Sequence, residues 1–420
     1  MKIHLITNLF HPDELAGASL YTDLARYFKD RGHDVRVTGT FSYYPAWKLR
    51  PEDEGVSLRE EEVEGIPLRR LKMYVPAKAS GLKRMLSDAS FLWALARKAP
   101  FHGWQPDVVI SACPMLSQCV GQRFLYLGKG VPRLLIVQDF VVDAALELKM
   151  LNLPGLSWGL RKMESWALRS AATLSTISPE MLAKLEAKIS DKNQRQIFIP
   201  NWIHQSLTDE IDRQWADRPQ REAHQLLYSG NVGVKQGLPD FVDTFETLES
   251  GWQLCIQGGG AERTRVVERT KDCPDIVMVD VSGEDAYVRS LLNASACLIT
   301  QKPDISANFL PSKLLPALAT GTPVLAVCEA DSPLGREVST GGYGAVIHPH
   351  DDKAIAATLL SWRDSPELMA SFSDKARERS IFFSRERILA EYENELAALC
   401  TNAVSAQEIS EAPCSPALSS

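Results

Sequence analysis

Two lysines stand in surroundings that suit a phosphate. Lys235 is the one cation in Tyr228-Ser-Gly-Asn-Val-Gly-Val-Lys-Gln-Gly-Leu238, where Gly230, Gly233 and Gly237 let the main chain approach a ligand and Asn231 adds an amide. Lys313 follows Pro311 and Ser312 and precedes the apolar run Leu314-Leu-Pro-Ala-Leu318. A proline at a helix start leaves the next N–H groups unpaired, and Ser312 adds a hydroxyl. Cations and amide dipoles placed this way would stabilise a diphosphate that departs with developing negative charge. A flexible turn with a solvated lysine explains the first segment as well. Neither segment has Walker spacing, and no G-x-G-x-x-G marks a dinucleotide dehydrogenase.

Further segments place polar groups at the ends of apolar runs. Gly258-Gly259-Gly260 either admits a ligand close to the main chain or simply turns a strand into a helix. Asp13, Glu14 and Gly17 form a loop leading into a helix, where free N–H groups attract anions. Val137-Gln138-Asp139 ends a strand in a carboxylate, which serves either as a helix cap or as a reacting group. No metal site is expected: the eight cysteines are scattered without a Cys-x-x-Cys pair, and no His, Cys and carboxylate cluster has ligand spacing. The same scatter argues against a disulfide framework and for reduced thiols.

Such groups need rigid elements beneath them, and the sequence supplies alternating strands and helices. Ile3, Leu5 and Ile6 predict a buried strand, and 18–31 predicts a helix with Leu20, Leu24, Tyr27 and Phe28 on one face. The alternation returns at 107–110 and 134–137. It restarts at 225–229 and continues through 253–257, 276–279, 296–300, 323–327 and 345–347, closing with a helix over 385–399. This pattern predicts α/β units with parallel sheets covered on both faces. The expected organisation is an N-terminal domain over 1–200, a C-terminal domain over 201–384, a helix over 385–400 and a disordered tail over 401–420. The polar stretch Gln205–Glu222 reads as the connection between domains.

A chain of 420 residues, 45% hydrophobic and 24% charged, suits two globular domains. No apolar run approaches the roughly 18–20 residues that span a bilayer, and the N-terminus lacks a basic start with a long apolar stretch. A cytoplasmic protein is expected. The net charge of −7 argues against general nucleic-acid binding. It is unevenly spread: residues 1–200 carry 27 Lys and Arg against 21 Asp and Glu, and the remainder 19 against 32. The two halves are therefore expected to meet different partners.

The order of HPDELAGAS near the N-terminus, VQDF at 137–140, IPNWI at 199–203, YSGNVGVKQGL at 228–238 and PSKLLPALATGTPV at 311–324 resembles the retaining GT-B glycosyltransferases of family 4. The resemblance is greatest to bacterial sugar transferases of the colanic-acid fucosyltransferase type. It implies two facing Rossmann-like domains with a cleft between them, the acceptor in the N-terminal one and a nucleotide-sugar donor in the C-terminal one. It places Gly17, Gly230, Asn231, Lys235, Gly259, Ser312, Lys313 and Leu314 at the donor, with Lys235 and Lys313 assisting departure of the diphosphate. Asp13 and Glu14 fall on the acceptor side. Gln138 and Asp139 fall where many relatives have a His-Asp pair at the reaction centre. The chain departs from the family at Asn308 and Pro316, where relatives often carry two glutamates, the second for the ribose hydroxyls.

The resemblance implies metal-independent transfer, with retention, to a hydroxyl of a polysaccharide or lipid-linked saccharide in exopolysaccharide or cell-envelope glycan synthesis, with no cofactor besides the donor. A cationic amphipathic stretch over 69–98 (Arg69, Arg70, Lys72, Lys78, Lys83, Arg84, Arg97 and Lys98 around Leu86 and Trp93) suits an anionic membrane surface or packs into the N-terminal domain. Two alternatives stand beside the transferase. One is a nucleotide-sugar 2-epimerase of the same fold; the other is a catalytically reduced partner protein, suggested by Gln138, Asn308 and Pro316.

Overall fold

The computed structural model describes residues 1–411 apart from 14–15, 44–46, 78–80, 114–115, 141, 144–155, 190–193, 219, 249, 281–282 and 304–309, so Glu14 and Asn308 lie outside the described residues. The chain forms two compact units, Met1–Ile199 with the segment from Leu389 onward, and Pro200–Ile388.

The first unit carries β1 (Lys2–Ile6), α1 (Ala16–Asp30), β2 (Asp34–Thr40), β3 (Leu58–Val63), β4 (Ile66–Leu71), α2 (Gly81–Lys98) and β5 (Val108–Cys113). It continues with α3 (Leu116–Leu125), β6 (Arg133–Val137), α4 (Leu156–Leu168), β7 (Thr173–Thr176), α5 (Pro179–Lys188) and β8 (Arg195–Phe198). The sheet runs β3-β4-β2-β1-β5-β6-β7-β8, parallel except for the β3–β4 pair. Ile3, Leu5, Leu134, Leu135 and Ile136 are almost wholly buried, as parallel strands covered on both faces require.

The antiparallel pair corrects the reading of 69–98 as one amphipathic stretch. Arg69 and Arg70 lie in β4 and bond across to β3, Arg69 Nε to Glu60 at 2.7 Å and Arg70 Nε to Glu61 at 2.6 Å. Their charges are taken up within the sheet. In α2, Phe91, Ala94 and Leu95 pack inward, whereas Met85, Leu86 and Trp93 remain exposed beside Lys83, Arg84 and Arg97.

The second unit carries α6 (Gln205–Trp215), β9 (Gln225–Ser229), α7 (Leu238–Glu246), β10 (Gln253–Gln257), α8 (Arg263–Arg269), β11 (Ile276–Val279) and α9 (Glu284–Asn293). After these come β12 (Ala296–Thr300), α10 (Leu314–Ala319), β13 (Val324–Val327), α11 (Pro333–Gly341), β14 (Gly344–Ile347), α12 (Asp352–Asp364) and α13 (Pro366–Ser380). Its sheet is wholly parallel, in the order β11-β10-β9-β12-β13-β14. The strand order reverses between β9 and β12, and the crevice beyond the carboxyl ends at such a reversal is where open α/β sheets take ligands.

Gln205–Glu222 is not a bare connection. Most of it is α6, whose Leu207, Ile211 and Gln214 recur on one face and are buried. Its remaining surface is charged, and the apolar positions are too few to stand out in the sequence. The terminal helix α14 (Arg385–Glu411) also runs past residue 400, because helix formers such as Ala403, Ala406 and Glu408 follow with no proline before Pro413. It docks on the first unit through Tyr392, which meets Ser175 at 3.3 Å, and Glu393, which meets His33 at 2.9 Å.

Arg221 ties the second unit together after α6. Its guanidinium donates to the carbonyls of Leu291 at 3.0 Å, Ala294 at 2.6 Å, Thr320 at 3.0 Å and Gly321 at 2.8 Å, and to Thr322 Oγ1 at 3.1 Å. Burial, with Arg218 nearby, pushes its pKa down to about 10, which leaves it charged at neutral pH. Replacing Arg221 with Met strands these acceptors, and urea denaturation is expected to show a loss of about 3 kcal/mol. Arg221→Lys should recover only part of it, since one ammonium cannot reach so many acceptors.

Candidate functional site

At the carboxyl edge of the second sheet, β9 ends in Tyr228 and Ser229. The Tyr228 hydroxyl donates to the Asn231 carbonyl at 2.7 Å and folds the loop back over its own strand. Gly230 has φ 119°, and its N–H donates to the Gln257 carbonyl at 2.9 Å. A Cβ on Gly230 would lie 2.8 Å from Lys313 Cε, so only glycine leaves room for the lysine that arrives from the start of α10. Lys313 is half-buried, with Nζ 3.6 Å from the centroid of the Tyr228 ring. Burial pushes its pKa down to about 7, opposed by the neighbouring Cys297 thiol.

The glycine triplet packs against this loop. A Cβ on Gly258 would fall 2.1 Å from the Gly230 carbonyl oxygen, and one on Gly260 2.4 Å from that of Val232. The outer two glycines thus let two loops touch, while Gly259 is exposed and its carbonyl accepts from the Val232 N–H at 2.8 Å. Lys235 lies in the short helical turn Val234–Gln236, half-buried, and its carbonyl accepts from the Lys302 N–H at 3.0 Å. The structure therefore gathers Gly230, Asn231, Lys235, Gly259 and Lys313 around the carboxyl ends of β9, β10 and β12.

The start of α10 differs from the expectation. The helix is only 6 residues long, the Leu314 N–H donates to the Pro311 carbonyl at 3.0 Å, and Pro316 has no N–H. Leu314 is a core residue with its amide engaged, and the turn offers fewer amide donors than the sequence pattern suggests. Ser312 is exposed beside Lys313. The sequence reading missed Gln257, Gln301 and Lys302, polar residues at the strand ends of this edge, whose signal was their position directly after or at the end of apolar runs.

In the first unit, Asp13 follows β1 and is buried. Ser42 Oγ donates to one of its carboxylate oxygens; the other, Oδ2, is buried without a partner among the described residues. Burial raises its pKa, opposed by the Ser42 bond and by Arg70. Gly17 lies inside the first turn of α1 rather than in the loop before it, where a Cβ would come within 3.2 Å of Leu9 Cδ1. Gln138 is half-buried and Asp139 exposed just beyond β6. The chain after them is anchored by groups that the sequence reading passed over. Lys188 Nζ meets Asp143 at 2.9 Å and Glu164 at 2.9 Å, and Glu164 accepts the Val142 N–H at 3.3 Å. Among the described residues, no three His, Cys, Asp or Glu side chains gather as metal ligands.

Two family models match the chain, a glycosyl transferase 4-like domain over residues 17–202 and glycosyl transferases group 1 over 209–379. A protein of Escherichia coli (strain K12), WcaI, assigned as a colanic acid biosynthesis glycosyl transferase, is 30% identical over 381 residues, covering 86% of this chain and 91% of that protein. Among solved structures, sucrose-phosphate synthase from Thermosynechococcus elongatus superposes with a TM-score of 0.72 at 16% identity, over 96% of this chain and 100% of that one. Anabaena HepE in complex with UDP gives 0.64 at 12% identity, over 95% and 100%.

The Lys313 environment makes stability depend on pH. Its pKa is lower folded than unfolded, so between about pH 7 and the usual lysine value near 10.5 the unfolded chain binds more protons and stability rises with pH. Lys313→Met removes the group, and its melting temperature relative to wild type should be highest below pH 7 and converge above it. Parallel curves across that window would refute the assignment.

Proposed function

We propose a sugar transfer for this chain, which belongs to glycosyltransferase family 4 and has the GT-B fold of that family. The sugar moves, with retention, from a nucleotide diphosphate sugar bound by the second unit to a hydroxyl of a polysaccharide or lipid-linked saccharide. The observation that carries the reading is Lys313, a desolvated ammonium held over Tyr228 against Gly230 at the strand-order reversal of the sheet. An ammonium with little water around it interacts strongly with an anion such as a diphosphate. UDP in the HepE structure supports a nucleotide-linked donor. The name of the E. coli relative supports an acceptor in exopolysaccharide or cell-envelope glycan synthesis.

In this mechanism the bond between the anomeric carbon and the diphosphate oxygen lengthens first. Lys313 and Lys235 meet the charge that builds on the leaving oxygens, with no metal ion required. The departing phosphate takes the acceptor's proton as the new bond forms on the same face of the sugar, which preserves configuration. Gln138 and Asp139 orient the acceptor hydroxyl, and Asp13 accepts a hydrogen bond from the saccharide with its unpartnered oxygen. The exposed Met85, Leu86 and Trp93 of α2, with Lys83, Arg84 and Arg97, bring a lipid-linked acceptor within reach at the inner face of an anionic membrane. No helix among the described residues is long and apolar enough to cross one.

A second reading has one observation in its favour. By the family resemblance, Pro316 falls where relatives often carry a ribose-binding glutamate, as a catalytically reduced partner protein would tolerate. Calorimetry with UDP and GDP separates the two, since a degenerate site binds neither.

Lys235→Ala and Lys313→Ala should each lower donor turnover at least about a hundredfold; unchanged turnover in both removes the leaving-group role. Donor incubated without acceptor should stay unconverted, whereas an epimerase would make a new sugar nucleotide. Because anion binding favours the charged lysine, affinity for a nucleoside diphosphate should fall as pH rises above about 7, and Lys313→Met should flatten that profile. Trp93→Ser with Arg97→Glu should weaken sedimentation with vesicles containing anionic lipid, and equal sedimentation would place the acceptor's lipid elsewhere.

A further inference from the structure

The edge of the second sheet holds a buried amide that the phosphate site does not use. Strand alternation puts Gln301 on the face of Cys297 and Ile299, which α10 covers with Leu314, Leu315 and Leu318. The ladder persists beyond β12, since the Gln301 N–H donates to the Val327 carbonyl at 3.0 Å. Gln301 is 5% exposed, and neither Oε1 nor Nε2 has a hydrogen-bond partner among the described residues. On β10, Gln257 shares the corresponding face with Cys255; it is 4% exposed, donates from Nε2 to Ser290 Oγ at 2.7 Å and leaves Oε1 unpartnered. Buried polar groups are nearly always paired, so a carboxamide with both ends open is a burden on the ligand-free fold. The N–H of its chain neighbour Lys302 bonds the Lys235 carbonyl, which places the main chain at Gln301 beside the lysine loop.

We infer that Gln301 recognises a hydroxyl or amide of the sugar attached to the donor's diphosphate. This rests on the nucleotide-sugar reading and adds to it a residue that selects the sugar. A phosphate offers only acceptors; it would satisfy Nε2 and repel Oε1. A group that both donates and accepts satisfies both ends, and sugar hydroxyls and acylamino groups do so. The lysines take the phosphates, which leaves the neutral amide for the neutral end of the ligand. A site built to bond such a group rejects donors that lack it.

The test uses the full-length protein and titration calorimetry with UDP, GDP, UDP-glucose, UDP-N-acetylglucosamine and GDP-mannose. For the sugar nucleotide that wild type binds, Gln301→Leu should weaken affinity about tenfold or more, while the parent nucleoside diphosphate changes less than about twofold. The ligand-free melting temperature should hold or rise, because apolar atoms replace an unpaired amide of similar size. Gln301→Met serves as a second variant should leucine not pack. Equal loss for the sugar nucleotide and its diphosphate, no loss for either, or a lower melting temperature in both variants overturns the inference while leaving nucleotide binding intact. Failure of wild type to bind any probe instead removes the nucleotide-sugar reading, and this inference with it.

Discussion

The second unit is organised around a cation that has been taken partly out of water without a carboxylate to meet it among the described residues. A half-buried ammonium is tolerated at Lys313 because the Tyr228 ring lies 3.6 Å from Nζ and presents its negative face. That contact dictates what surrounds it. Gly230 must lack a side chain for the lysine to reach the ring, Gly258 must lack one for the Gly230 carbonyl to fit, and Gly260 must lack one for the Val232 carbonyl. Loops following β9 and β10 and the entry to α10 are thus parts of one close-packed arrangement. A change at any of these glycines reaches the lysine.

Local and overall electrostatics have opposite signs here. The residues after 200 carry an excess of acidic groups, yet the carboxyl edge of their sheet concentrates Lys235, Lys302 and Lys313. Dispersed surface carboxylates are screened by solvent and salt within about 10 Å. A desolvated ammonium is screened far less, so it governs what binds beside it. The overall charge of a unit therefore says little about the ligand its strand ends receive, although it does bear on solubility and nonspecific association.

What was legible in the sequence follows the same division between local and distant. Buried parallel strands such as Leu134–Val137 and Ala296–Thr300 read as apolar runs, so the α/β class and the family could be recognised from them and from the loops that follow. The β3–β4 pair was hidden because its cross-strand Glu60–Arg69 and Glu61–Arg70 partners read as a charge run when taken in chain order. Helix α6 was hidden because its buried stripe is narrow within a charged segment. The meeting of Lys313 with Tyr228 and the open amide of Gln301 depend on how strands distant in sequence lie side by side. No local pattern encodes either one.

The departure at Pro316 gains a physical sense from this geometry. Position 316 lies three residues beyond 313, a separation that brings side chains together on a helix. A glutamate there would be within reach of the Lys313 ammonium, would hold its charge in the ligand-free protein and would compete with an incoming phosphate. Proline removes both that carboxylate and one amide donor from the first turn of α10, whose Leu314 N–H is already engaged. The edge thereby offers less helix dipole and, in Lys313, a lysine that no carboxylate among the described residues neutralises and whose proton affinity is set by burial. On the proposed donor reading, the proline at 316 and a lysine poised near neutrality are two aspects of one arrangement, in which a bound anion would supply the counter-charge that the protein itself withholds.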